Sequence, residues 1–432
     1  DRLEETVPRP GRWDSAGPPI EPALHDGTRA GALMQSTLKG DDAGPAALVH
    51  VYTSRVKRRF VEIASGTGRV EVAFDRGEVV AGDRSMPIRE VEYELKAGDP
   101  QTLVHFARAG IVAHGMQLST LSKAAHGDAL ARHAGRFAPV HARPPALKLA
   151  MDAAALRRAV MSACIDQVIA NASILAEGQL DDEVVHQLRV GLRRLRTAAR
   201  ELPREGESAP ASWDAPITEL FHGLGEHRDR SIVAVSVGHE LAVAGSPEPS
   251  LEPPTDDVDP VALVRGREVQ LALLDVLGEA MAAGTSERDD GDIHAAIATR
   301  LGTLHASMKK AAHRFDRLDD DDRHRVRKRL KRLRYFAELI GPLHDPRAVR
   351  RYLAKLRPAQ DALGAYVELI VGIDFARERV AVGDERAWFN IGWLSAQLPR
   401  GVKRCRKALE NAATARPFWR RPSAQSHRTT GA

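Results

Sequence analysis

Two short stretches of this chain carry the same spaced set of cations. The first reads His186-Gln-Leu-Arg189-Val-Gly-Leu-Arg193-Arg-Leu-Arg196, and the second His324-Arg-Val-Arg327-Lys-Arg-Leu-Lys331-Arg-Leu-Arg334-Tyr335. His, Arg, Arg or Lys, and Arg recur at offsets 0, 3, 7 and 10. At about 100° per residue these four side chains share about 80° of a helix surface. Val185, Leu188, Leu192 and Leu195 form the apolar stripe of the first copy, and Val326, Leu330 and Leu333 that of the second. The basic stripe borders the apolar one, so it predicts a groove beside a neighbouring helix. There an arginine fork can bond phosphate in a setting drier than bulk water. A single basic helix face is usually a solvated one, with arginine stems covering apolar surface. Two copies with the same histidine and the same angle to the core favour a site for a long polyanion. His186 and His324 would donate when protonated. Lys309, Lys310, His313 and Arg314 end the helix before the second copy and extend the patch on this reading.

The elements that must hold these stripes are long helices. Apolar periodicity predicts helices over 151–178, 181–202, 215–243, 260–283, 291–316, 319–340, 346–379 and 385–413. Asp181 and Asp182 suit the start of the first cassette helix, and Asp319 to Asp322 that of the second. The cassettes lie 138 positions apart, which predicts two similar helical halves. Pro/Ser/Glu-rich stretches at 203–214 and 245–259 read as loops, and the segment after residue 415 as a disordered tail.

A second constellation lies upstream. Glu90, Glu92 and Glu94 alternate with Val91, Tyr93 and Leu95, so as a strand they put three carboxylates on one face. Such a row needs compensating cations, either basic neighbours or a hard metal ion with oxygen ligands. Arg55, Lys57 and Arg59 alternate on another strand, with Arg58 on its opposite face. Cross-strand ion pairing on a solvent face is the plain alternative. The strands expected are Val51 to Ile63, Val70 to Phe74, Glu78 to Ala81 and Ile88 to Lys96, with Asp75-Arg-Gly77 as a hairpin turn. A helix follows over 100–109, and Ser119 to Ala125 reads as a last strand.

Bulk charge is a weak guide, because 63 basic residues face 58 acidic ones for a net +5. The distribution is more telling: Arg323 to Arg334 holds eight Lys/Arg and no acid. Two distant cysteines, Cys164 and Cys405, exclude a disulfide framework and a metal finger and fit a reducing cytoplasm. No run of about 18 apolar residues predicts a membrane span. Aromatics are 5% of the chain, which leaves few stacking platforms for nucleic acid.

The helical half resembles a CHAD domain, the histidine-marked α-helical domain associated with inorganic polyphosphate. The two cassettes carry that resemblance, together with Leu224-Gly-Glu-His-Arg-Asp229 and Leu356-Arg-Pro-Ala-Gln-Asp-Ala-Leu-Gly364. It implies two pseudo-symmetric four-helix bundles and polyphosphate binding by His186, Arg189, Arg193, Arg196, His324, Arg327, Lys331 and Arg334, with no cofactor required. Residues 49–130 resemble the later part of a CYTH domain, the triphosphate tunnel fold, through Val56-Lys-Arg-Arg-Phe60, Val70 to Glu78, Pro87 to Asp99 and Ser122-Lys-Ala-Ala-His-Gly127, with Gln35 to Lys39 as a further basic strand. That resemblance implies Glu90, Glu92 and Glu94 as ligands for Mg or Mn. It implies Lys39, Arg58, Arg59 and Lys123 as triphosphate-binding residues. Nothing before residue 50 matches the family's opening Glu-x-Glu-x-Lys strand, so the barrel is expected to be partial and efficient triphosphate hydrolysis is not expected.

The expected architecture is α+β. An incomplete CYTH-like antiparallel barrel spans 1–138, a linker 139–150, a CHAD-like helical domain 151–415 and a tail 416–432. The expected function is polyphosphate binding, which targets the chain to polyphosphate granules in the cytoplasm or organises them. A metal-dependent inorganic triphosphatase and a nucleic-acid-binding helical protein are the alternatives, and no membrane partner is expected.

Overall fold

The computed structural model describes residues 27–28, 31–32, 50–66, 68–202, 211–247, 258–282 and 293–419, with the backbone alone over 226–234. Lys39 lies outside the described residues.

Three long strands form an open antiparallel sheet in the order β1 (Thr53–Ser65), β2 (Gly68–Ala81) and β3 (Arg84–Ala97). Asp75-Arg-Gly77 is not a turn. β2 runs straight through it, and Asp75 pairs with Arg58 on one side and Glu90 on the other. Gly77 serves close approach instead, because a Cβ there would stand 1.9 Å from the Arg55 carbonyl oxygen. The chain reverses at Gly82-Asp83, where Gly82 takes φ +60°.

The register gives the sheet two distinct faces. One holds Arg58, Asp75, Glu90, Glu92 and Glu94; the other holds Lys57, Arg59, Phe74, Arg76, Arg89 and Tyr93. Helix α1 (Gln101–His114) lies against β3, with Phe106 stacked near Tyr93 at 6.2 Å. Helix α2 (Lys123–His133) packs on the sheet, Leu130 joining Val79, Ala81 and Ile88 in a small core. Ser122 caps α2 by accepting from the Ala125 N–H at 3.1 Å. The expected strand over Ser119 to Ala125 is therefore a capped helix start.

The connecting segment is pinned rather than loose. Asn171 both donates to and accepts from Val140, and Gln179 does the same for Phe137. Gln101 donates to the Gly278 carbonyl at 2.8 Å, and Arg108 pairs with Asp275. These bonds join the sheet unit to the helical unit.

The helical region comprises α3 (Ala153–Ala176), α4 (Asp182–Glu201), α5 (Asp214–Val243), α6 (Pro260–Arg265), α7 (Arg267–Met281), α8 (Ile293–Ala312), α9 (Asp320–Ile340), α10 (Pro346–Ala381) and α11 (Ala387–Ala413). The single helix expected over 260–283 breaks at Gly266, whose ψ of 133° is extended. α3 is long and apolar enough by composition to cross a membrane, which the sequence reading missed. The fold uses it as a central core helix, with Leu156, Val160, Met161, Ile165 and Val168 fully buried. Its buried Gln167, Asn171 and Ser173 all bond within the protein.

Both cassette helices bury the expected apolar stripes: Val185, Leu188, Leu192 and Leu195 are sealed, as are Leu330 and Leu333. Their starts are capped as expected. Asp181 accepts from Glu183 and Val184, and Asp319 from Asp322. The chain stays ordered past residue 415, because Trp419 is buried against Tyr352 and His305, with ring centroids at 5.0 and 5.9 Å. The expected tail does not hold over 416–419; 420–432 lie outside the described residues.

Candidate polyanion surface

Burial decides which cassette cations are structural. Arg194 stands beside the stripe, not on it, and is buried. Its guanidinium donates to Gln167 Oε1 and to the Arg143 carbonyl, both at 2.9 Å, so it ties α4 to α3 and the linker. Arg193 and Arg196 are half-buried. Arg189 is buried and donates to the Gly225 carbonyl on α5.

Those last three converge on one ring. The guanidinium carbons of Arg189, Arg193 and Arg196 lie 5.5, 5.1 and 5.0 Å from the centroid of Phe221 on α5. Each contact is worth about 0.5–1 kcal/mol where partly exposed. Together they hold three like charges side by side before any anion arrives. No spacing rule could have found Phe221, because the contact is made across two helices.

The second cassette is arranged differently. His324, Arg327 and Lys331 follow one another along α9, all half-buried. Burial first, then the neighbouring Lys328, Arg327 and Lys331, hold the His324 imidazole below its ordinary pKa. Arg334 turns away: it donates to Glu338 and Gln360, each at 2.6 Å. His186 is half-buried at the head of the first stripe.

Helices α4 and α9 pack together, and the α9 residues at that contact are Arg332 and Arg329, beside the cassette stripe rather than on it. At the seam Arg332 lies 3.6 Å from the buried Glu201. Desolvation lowers the Arg332 pKa, and the like charges of Arg200, Arg329 and Arg196 add to it. The same causes, burial and then Arg193 and Arg200 among the charges, act on Arg196. Arg332 and Arg200 thus join the set that sequence spacing had picked out.

The sheet carries the second constellation. Asp75 is buried and accepts a two-pronged bond from Arg58, at 2.8 and 2.6 Å. Lys123 Nζ lies 2.7 Å from both Asp75 and Glu92 and also contacts Glu90. The Arg58 hydrogen bonds, reinforced by Lys123, hold the Asp75 carboxyl down at about 2. Burial opposes the charge of Lys123, but its bonds to Asp75, Glu90 and Glu92 outweigh that and raise its pKa. Of the expected ligands Glu90 and Glu92 are here, while Glu94 turns to Lys96. Asp75 was missed because Asp-x-Gly reads as a turn. Arg59 points to the opposite face of the sheet from Arg58.

Carboxylate oxygens of Asp75, Glu90 and Glu92 lie within 4.8 Å of one another, a spacing open to Mg or Mn. The Lys123 ammonium already meets all three, and the Arg58 guanidinium meets two. As arranged, the cluster does not fit a divalent ion without displacement of Lys123.

Comparison with known proteins bears on both parts. Residues 159–377 match the CHAD domain family. An inorganic triphosphatase of Haemophilus influenzae is 28% identical over 106 residues, 24% of this chain and 30% of that protein. The chain thus spans 30% of the length of the curated relative it matches. A crystal structure of the CHAD domain from the plant Ricinus communis aligns at 24% identity with a TM-score of 0.46, covering 63% of this chain and 96% of that one. The small antiparallel sheet is consistent with a partial CYTH-like domain.

Proposed function

The chain belongs to the CHAD domain family through residues 159–377, and from that premise we propose that its helical part binds inorganic polyphosphate along α4 and α9. The observation that carries this reading is the gathering on Phe221 of three cassette guanidiniums from α4, which packs against α9, whose Arg332 stands near Arg196 and Arg200. A phosphate chain supplies closely spaced charges and acceptors for such a band. No cofactor enters this binding. Arg189, Arg193, Arg196, Arg327 and Lys331 would carry the contacts, with His186 and His324 beside them. Arg334 would act only after release from Glu338 and Gln360. On this reading the protein works in the cytoplasm at polyphosphate granules.

Titration with long-chain polyphosphate at two salt concentrations tests the proposal. The expected result is tight binding that weakens steeply with salt, as counterion release demands. Binding that is weak and salt-independent would sink it.

Phe221→Ala makes a narrower test. It leaves every charge in place but removes the ring that gathers three of them. Affinity is expected to fall about tenfold, from loss of roughly 0.5 kcal/mol per guanidinium, while the salt slope stays unchanged. A changed slope with unchanged affinity would mean that the ring does not organise the cations.

The triphosphatase relative supports a second reading, in which the Asp75, Glu90 and Glu92 cluster serves phosphate release. The chain's own residues could bind triphosphate there through Arg58 and Lys123 once these leave the carboxylates. A bound Mg or Mn ion would supply charge neutralisation. Phosphate release from triphosphate, followed with and without Mg or Mn, separates this reading from binding alone. We rank it below binding because the cations are already engaged by the acids. Nucleic-acid binding ranks lower still, with few aromatics to stack bases.

A further inference from the structure

The face of the sheet turned away from the acid cluster carries cations of its own. The register places Lys57, Arg76 and Arg89 directly opposite one another across all three strands. Arg59 stands one rung further on, beside Phe74, which is 48% exposed. All four cations are exposed, and they line a cleft of about 1840 Å³ between the sheet and the helical region, whose wall also reaches Asp75, Glu90 and Glu92. Like charges directly opposite in neighbouring strands destabilise a sheet. Acids are available elsewhere on this sheet, yet the one nearest on this face, Glu78, pairs with Arg55.

We propose that the Lys57–Arg76–Arg89 rung, with Arg59, is a second anion-binding surface that takes a phosphate polymer. Neighbouring strands are about 4.8 Å apart, so the rung offers a charge every ~5 Å across the strands. An extended acidic peptide presents side chains on one face only every ~7 Å, a poorer match. A phosphate chain carries charge densely enough and accepts the arginine forks. The ligand is the one read above for the helical region, so the proposal rests partly on that reading. A long chain held at two places on one protein gains avidity beyond either contact alone.

The test uses the full chain, end-labelled long-chain inorganic polyphosphate and fluorescence anisotropy at two salt concentrations. Arg76→Gln/Arg89→Gln is expected to weaken binding about tenfold and to lower the salt slope by about two. The same variant should raise the melting temperature, because it relieves repulsion; a merely structural role for these arginines would lower it. In an Arg193→Ala/Lys331→Ala background the added pair should remove the binding that is left. An unchanged affinity and slope in the folded Arg76→Gln/Arg89→Gln protein overturns the proposal. Stronger binding of single-stranded DNA than of polyphosphate, lost on Phe74→Ala, overturns the choice of ligand. The two readings fail separately. Loss confined to the Arg193/Lys331 variant leaves the helical surface standing alone, and loss confined to the Arg76/Arg89 variant leaves the sheet standing alone.

Discussion

Arg193→Ala/Lys331→Ala is expected to weaken binding of long-chain polyphosphate by about 150-fold. Each side chain would give at least one charge-assisted bond to phosphate, and such bonds contribute about 1.5 kcal/mol at the low end, or about 3 kcal/mol for two. The pair is chosen because the two residues hold the same place in the two cassettes. Both are half-buried, and Arg193 lies over the Phe221 ring. Arg189 is a worse probe, because it is buried and bonded to the Gly225 carbonyl, so its loss would mix binding with folding. Arg334 is worse for the opposite reason, since Glu338 and Gln360 already hold it. Arg132→Ala/Arg377→Ala removes the same net charge from surface ion pairs that are mostly solvated, 67% and 66% exposed at the arginines. That control should bind within about threefold of the parent, since exposed pairs are worth little and distant charge is screened. Equal losses in both variants would mean that bulk charge, not the cassettes, carries the binding.

The helices were legible in the sequence because their signals are local. An apolar repeat with aspartates before it marks α4 and α9 wherever they pack, and both begin within a residue or two of the expected start. The relation of basic to apolar stripe was legible for the same reason. Contacts between helices were not. Phe221, Arg332 and Glu201 gain their roles from the packing of α4 on α5 and α9. The sheet shows the cost of reading composition without pairing. Asp75-Arg-Gly77 has turn chemistry, but Gly77 is there to let β1 approach, and Asp75 is there to receive Arg58 and Lys123. Lys123 and Arg58 were reached by resemblance. Their role as partners of the carboxylates could be read only from distances. Trp419 looked like tail because a basic, Pro-rich segment surrounds it, yet its ring completes an aromatic cluster with Tyr352 and Phe418.

Asp75→Asn is expected to destabilise the sheet unit by about 2 kcal/mol at pH 7 and by much less in acid. Removal of one member of a buried ion pair costs about 3–5 kcal/mol. Here the figure is lowered, because the Arg58 side chain is 43% exposed and water shares its charge. The pH dependence follows from the depressed carboxyl. Its pKa in the folded protein is about 2, below the ordinary 3.8, so the folded state favours the ionised form. The stabilisation is complete above about pH 4 and is lost as pH falls through about 2. Parent and variant should therefore differ at pH 7 and converge as the parent's own carboxylate takes up its proton. Tryptophan fluorescence is a poor readout, because the described tryptophans, at 213, 388, 393 and 419, lie outside the sheet and its two helices. Amide hydrogen exchange along β2 reads it directly, since opening of the sheet exposes those amides. A gap between parent and variant that stays constant from pH 7 to pH 3 would show that the hydrogen-bonding shape of Asp75, not its charge, holds Arg58 and Lys123 in place.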